Sequence, residues 1–191
     1  MRRLLPALVT FCAFALYAGA QASPGNSKPT RAEGVAAFQA IAPVLHHPRC
    51  LVCHSTGNYP RQGDDLHPHI MDVRRGPHGE GATPVECSTC HQDHNLAGEH
   101  TPPGATDWRL PSPDNPMIWE GLTDIQLCRL LTDPNRNGGR NAKAIEAHMR
   151  TQLVLWAWHP GDGRTPVSLP LETFLKNVQI WTSAGAPCTE R

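Results

Sequence analysis

Two five-residue signatures stand out by residue type and spacing: Cys50-Leu51-Val52-Cys53-His54 and Cys87-Ser88-Thr89-Cys90-His91. In each, two thiols three positions apart match the two vinyl groups of one haem, to which they can bond as thioethers. The histidine that follows can bring its imidazole under the iron as proximal ligand. On this reading the chain carries two haem c groups. Cys50, Cys53, Cys87 and Cys90 are the covalent attachment points, and His54 and His91 are iron ligands. The competing reading is a Cys₄ zinc site, whose two pairs usually lie about 15–20 residues apart. Here 33 residues separate Cys53 from Cys87, and a histidine follows each pair at once. Thioredoxin-like chemistry needs a βαβ pattern that the sequence lacks.

The sixth ligands are open between histidine and methionine, and methionine would raise the potential. His69 lies between the motifs, within reach of the first haem. His148 shares a helical face with Ile145 and so points inward. His47, three residues before Cys50, could reach across to the second haem. These three are the expected additional metal ligands, with Met71 and Met149 as runners-up. His46, His67, His78, His94, His100 and His159 fall in polar loops and are expected to be solvated. The tryptophans Trp108, Trp119, Trp156, Trp158 and Trp181 could pack on haem faces, but core packing with a satisfied indole N–H is the ordinary role. Arg74, Arg75 and Arg140 could pair with haem propionates or stay at the surface.

The elements that must position these residues divide the chain in two. From His46 to Pro116 there are ten prolines, seven glycines and nine of the eleven histidines, with 18 apolar residues, four of them motif cysteines. So polar and broken a stretch cannot easily bury a core of its own. Two haems would supply apolar surface for its loops to wrap, and metal binding would become part of folding. Residues 117–191 read as conventional helices. Thr123-Asp124-Ile125-Gln126 is a capping box opening a helix to about Leu131, stopped by Asp133-Pro134. A second helix is expected over about 140–156 and a last one over 170–184, with Gly185 as a left-handed cap. Before the motifs, residues 32–45 form an amphipathic helix ended by Pro43 and Pro48. The spacing of 37 residues between first cysteines leaves no room for two separate cytochrome domains. The expected fold is mainly α and loop-rich, a single compact domain over 23–191 built around two covalently attached haems.

The chain opens with Arg2-Arg3, a 14-residue apolar run from Leu4 to Tyr17, and the small residues around Ala20 and Ala22. This is a Sec signal peptide over 1–22, too short to span a bilayer, and it implies a periplasmic protein without an integral membrane segment. Its removal takes two arginines and no acid, so the balance goes from 17 − 17 = 0 to 15 − 17 = −2. With no basic stripe, nucleic acid is excluded as a partner. Of seven cysteines, Cys12 leaves with the signal and four go to haem. Cys128 and Cys188 then remain, either as a disulfide closing a loop of roughly 60 residues, contributing about 3–4 kcal/mol, or as two buried free thiols.

The runs His47-Pro48-Arg49-Cys50 through His54, Val73-Arg74-Arg75-Gly76, Cys87 through His91, Asn137-Gly138-Gly139-Arg140, Trp158-His159-Pro160-Gly161 and Gly185-Ala186-Pro187-Cys188 resemble a group of small secreted bacterial dihaem proteins. Many of these carry the label "isoquinoline 1-oxidoreductase subunit". The resemblance implies a cytochrome that takes electrons from a molybdenum hydroxylase, which this short chain without iron–sulfur spacing cannot itself be. The expected function is electron transfer between a dehydrogenase and a respiratory acceptor. A dihaem enzyme, such as a small peroxidase or sulfur-compound oxidase, is the alternative. It would need an exchangeable sixth position and acid–base groups, for which Asp93, Glu99 and Asp107 lie near the second motif. A haem-based sensor or stabilising subunit is a third class.

Overall fold

The computed structural model describes residues 27–190. The leader expected over 1–22, with Cys12, lies outside them. The elements run α1 (Arg31–Leu45), α2 (Pro48–Leu51), β1 (Arg61–Gln62), β2 (His67–Pro68), β3 (Gly81–Ala82), β4 (Val85–Glu86), α3 (Asp124–Thr132), α4 (Ala142–His148), α5 (Gln152–Leu155) and α6 (Leu171–Ser183). Single 3₁₀ turns at Ile70–Asp72, Cys87–Thr89 and Trp156–Trp158 complete them. The fold is helix-rich, and its strands form two separate antiparallel pairs of two residues each, β1–β2 and β3–β4.

Helix ends follow local chemistry. Thr30 and Glu33 form a capping box at α1, and Thr123 and Gln126 form the one expected at α3. Helix α6 closes in a Schellman motif: Ala186 N–H donates to the Trp181 carbonyl at 2.8 Å and Gly185 N–H to that of Thr182 at 3.0 Å. Gly185 has the left-handed φ of 91° this cap requires. Two expectations are corrected. The helix expected over 32–45 forms as α1, but Pro43 lies inside it and does not end it, because the last turn buries Val44 and Leu45 in the core and loses only one backbone bond to the proline. The single helix expected over 140–156 is broken after His148. The Thr151 N–H and hydroxyl both donate to the His148 carbonyl, at 3.0 and 2.9 Å, and divert the chain into α5.

The main core joins α1, α3, α4 and α6 around Phe38, Ile41, Leu127, Ile145, Phe174 and Trp181. Phe38 packs on Trp181 with ring centroids 5.1 Å apart. Cys128 and Cys188 are disulfide-bonded, with Cα atoms 5.7 Å apart, which fastens the C-terminal segment to α3. By contrast, residues 46–116 contribute only Val52, Val73, Ala105 and Leu110 to the buried apolar set. Val52 and Ala105 cluster with Trp156 of the helical half, with a partly buried fringe. No helix among the described residues is long and apolar enough to cross a membrane.

Candidate functional site

Both cysteine–histidine motifs fold as one tight turn. In the first, His47 caps α2, its Nδ1 accepting the Arg49 N–H at 3.2 Å, and Pro48 takes the first helical position. The Cys53 and His54 N–H groups both donate to the Cys50 carbonyl, at 3.3 and 3.1 Å. In the second, the Cys90 and His91 N–H groups donate to the Cys87 carbonyl at 3.2 and 2.9 Å. The shared bond pattern holds two thiols and an imidazole together on one turn in each copy.

Each imidazole is then fixed from outside its motif in the same manner. The Nδ1–H of His54 donates to the Met117 carbonyl at 2.8 Å, and the ring lies flat on Trp119, with centroids 3.6 Å apart and planes within 2°. The Nδ1–H of His91 donates to the Pro103 carbonyl at 2.6 Å, and its ring stacks on Trp108 at 4.6 Å and 10°. A carbonyl can only accept, so Nδ1 carries the proton and Nε2 keeps a free lone pair. This is the arrangement that orients a metal-binding histidine. Burial pushes the His54 pKa down to about 3, with the charges of His148, Arg75 and Arg140 adding to it. Burial also lowers that of His91. Both rings are therefore neutral, the ligating form. Burial and then the neighbouring thiol raise Cys50 and Cys53 to about 12, so these cysteines are uncharged thiols. Among the described residues no three His, Cys, Asp or Glu side chains converge as a metal-ion cage.

Each motif opens on its own cavity. The first, about 790 Å³, is lined by Cys50, Cys53 and His54 and also by Trp119, His148 and Met149. The second, about 340 Å³, is lined by Cys87, Cys90 and His91 and also by His69, Met71 and Trp108. Both volumes fall in the range of about 300–1,000 Å³ usual for small-molecule and cofactor sites. The cavities share walls: Arg49, Cys53, Trp108 and Trp156 line both. Trp108 meets Trp156 edge-on at 4.9 Å.

Of the three further histidines, His69 stands in the second cavity, not the first. The β1–β2 hairpin turns the chain back, the His69 N–H donates to the Pro60 carbonyl at 3.1 Å, and its ring comes to 6.1 Å from that of His91. Both rings line the second cavity. The His69 Nδ1–H donates to the Ile70 carbonyl, the same fixing bond as in His54 and His91. His148 lines the first cavity at the end of α4, where burial and the Arg140 charge lower its pKa. Met149 beside it is buried at the same wall. His47 lines neither cavity. Arg74 pairs with Asp72, and Arg75 is buried with its guanidinium on the Pro111 and Gly57 carbonyls at 2.6 and 3.4 Å. Of the acids, Asp93 contacts His94, and Asp107 pairs with Arg109 at 3.1 Å.

Sequence reasoning missed the carbonyls of Met117 and Pro103, which carry no residue-type signal, and the stacking of Trp108 and Trp119 on the imidazoles. It also missed Glu120, whose carboxylate accepts the Thr56 N–H and hydroxyl, both at 2.7 Å, and faces Arg61 at 3.4 Å. Those bonds, together with the Trp119 and Glu120 N–H groups on the His54 carbonyl at 2.8 and 3.2 Å, pin the stacking segment to the first motif. Comparison with protein-family models, with curated proteins and with solved structures returned no match.

Proposed function

We propose that this chain is a periplasmic dihaem c-type cytochrome that passes electrons between a dehydrogenase and a respiratory acceptor. The observation that carries the reading is the doubled construction. Each Cys-x-x-Cys-His turn faces a cavity with a neutral, carbonyl-anchored, tryptophan-stacked imidazole. A haem so held supplies a one-electron iron couple tuned by axial ligand, burial and hydrogen bonding. The protein's part is to bond the ring edge through Cys50 and Cys53 or Cys87 and Cys90, present Nε2 of His54 or His91, and keep water from the apolar walls. His69 would supply a further ligand to the group held in the second cavity, and His148 or Met149 to the one in the first. Haems bound in these two cavities would lie on either side of shared walls, which suits transfer from one to the other.

The donor we infer from the sequence resemblance is a molybdenum hydroxylase. Such an enzyme, mixed with the oxidised cytochrome and its substrate, should reduce it. The central test is purification from cells competent in cytochrome c maturation. Two haems per chain by pyridine haemochrome, both low-spin and six-coordinate, are expected. A colourless protein that is nonetheless folded would remove the reading.

The first cavity, more than twice the volume of the second, favours one further reading: an exchangeable sixth position there, as in a dihaem redox enzyme. Carbon monoxide binding by the reduced protein, with a high-spin ferric signal, would select it. A reduced spectrum unchanged by carbon monoxide selects the carrier.

A further inference from the structure

Each cavity carries one arginine set apart from the others on its walls. Arg49, Arg61 and Arg109 line these walls too, but each already meets a carboxylate, from Asp64, Glu120 and Asp107 respectively. Arg150, on the first cavity, is exposed. Arg140 in the first cavity and Arg164 in the second are both half-buried. Their guanidinium hydrogen bonds among the described residues go to carbonyls alone. Arg140 Nη1 donates to the Asn137 carbonyl at 2.8 Å; Arg164 Nη1 donates to that of Pro160 at 3.2 Å, and its Nη2 to that of Thr101.

The two are presented by one local device. Asn137-Gly138-Gly139-Arg140 and Pro160-Gly161-Asp162-Gly163-Arg164 are glycine turns that fold the guanidinium back on the carbonyl of the residue before the first glycine. Gly138 and Gly161 have φ of 74° and 84°. A Cβ at Gly138 would come to 2.7 Å from Arg140 Nη1, and one at Gly161 to 3.3 Å from Arg164 Nη1. The first turn is braced by Asn137, 1% exposed, whose amide donates to the Leu131 and Arg140 carbonyls at 2.7 and 2.8 Å and accepts the Arg140 N–H at 2.8 Å. The second is braced by Asn95, which donates to the His159 carbonyl at 2.8 Å and accepts the Trp156 indole N–H at 3.0 Å.

Neither guanidinium is hydrogen-bonded to a carboxylate among the described residues, though Arg164 feels the Asp64 charge with that of Arg49 against it, and an anion would best complete a cation held half out of water. Its planar fork suits a carboxylate above other partners. We propose that Arg140 and Arg164 are carboxylate posts, one per cavity, each receiving a propionate of the haem bound there. This rests on the dihaem reading and assigns one arginine to each haem. A fixed positive charge beside a haem disfavours its ferric state, so each arginine raises the potential of its own haem more than that of the other.

The test uses holoprotein variants Arg140→Gln and Arg164→Gln, read by resonance Raman of the propionate bending bands and by spectroelectrochemical titration. Arg164→Gln should shift the propionate band and lower the midpoint of one haem, and Arg140→Gln those of the other. Arg→Lys at either position should still alter the band, because the fork is lost, with a smaller drop in potential because the charge stays. These Lys variants decide the matter where a Gln variant fails to mature. Arg31→Gln, whose arginine pairs with Glu190 and lines neither cavity, should leave the bands in place. Unchanged propionate bands in both the Gln and Lys variants, or equal shifts of both haems in each, would overturn the assignment while the protein stays coloured. Absence of haem in the unsubstituted protein would instead remove the dihaem reading itself.

Discussion

The cavity faced by His54 is backed by the main helical core, with Leu131, Ile145, Met149 and Phe174 on its walls. The cavity faced by His91 is walled by hairpins, proline loops and a turn in which Met71 and Asp72 take φ of 70° and 50°. The two motifs are near copies, yet the ground beneath them differs. Around His54 the walls belong to side chains that bury one another whatever the cavity holds. Around His91 most wall residues have little else to pack on, and Ile70 and Met71 are 60% and 72% exposed. A local signature can therefore be repeated while its support is built by unrelated means, and the two sites should differ in how far they need their ligand in order to exist.

The largest expected effect tests that difference directly. Chain made without haem attachment should keep amide protection in α1, α3 and α6 and lose it throughout 57–116, by hydrogen exchange with mass analysis. Uniform protection, or uniform loss, would break the contrast. In the helical half, Phe174→Ala removes a ring that is 1% exposed. It should cost about 3–5 kcal/mol in denaturant unfolding, the usual range for such truncations. Replacing both Cys128 and Cys188 by serine should cost up to about 4 kcal/mol by the loop-entropy argument. That loss should appear as a lower midpoint for the helical signal, with amide exchange over 57–116 little changed. The smallest effect is electrostatic. Hydrogen bonds from the Thr56 side chain and backbone, then the Arg61 charge, hold the Glu120 carboxyl below its ordinary range. Its stabilisation is therefore present above the ordinary glutamate value of about 4.3 and is lost as pH falls through the folded value. Partly exposed, the group should contribute under about 1 kcal/mol. The gap in melting temperature between the native chain and Glu120→Gln should narrow as the pH is taken down from neutral through the folded carboxyl value, if this partnership holds the first site as described.

Much of the helical half was legible in advance because its signals are local. The Thr123–Gln126 box, the stop at Asp133-Pro134 and the cap at Gly185 each act within a few residues. Pro43 misled, since burial of Val44 and Leu45 outweighs one missing hydrogen bond. The break after His148 was hidden because helical periodicity continues across it, and only the Thr151 hydroxyl turns the chain. In the middle region His69 was recognised as a candidate ligand. Its partner was misjudged, because a two-residue β-pair returns it to the second motif.

The amino-acid order alone determined the paired thiols, the imidazole one turn on, and the poverty of apolar residues between His46 and Pro116. Those properties depend on neighbours along the chain. Tertiary structure alone decided that Met117 and Pro103 supply the fixing carbonyls, that Trp119 and Trp108 lie against the rings, and which arginines go without a carboxylate. Any residue can offer a carbonyl, and most of those contacts bridge long loops, 63 residues in the case of His54 and Met117. Only the packed chain brings such groups together.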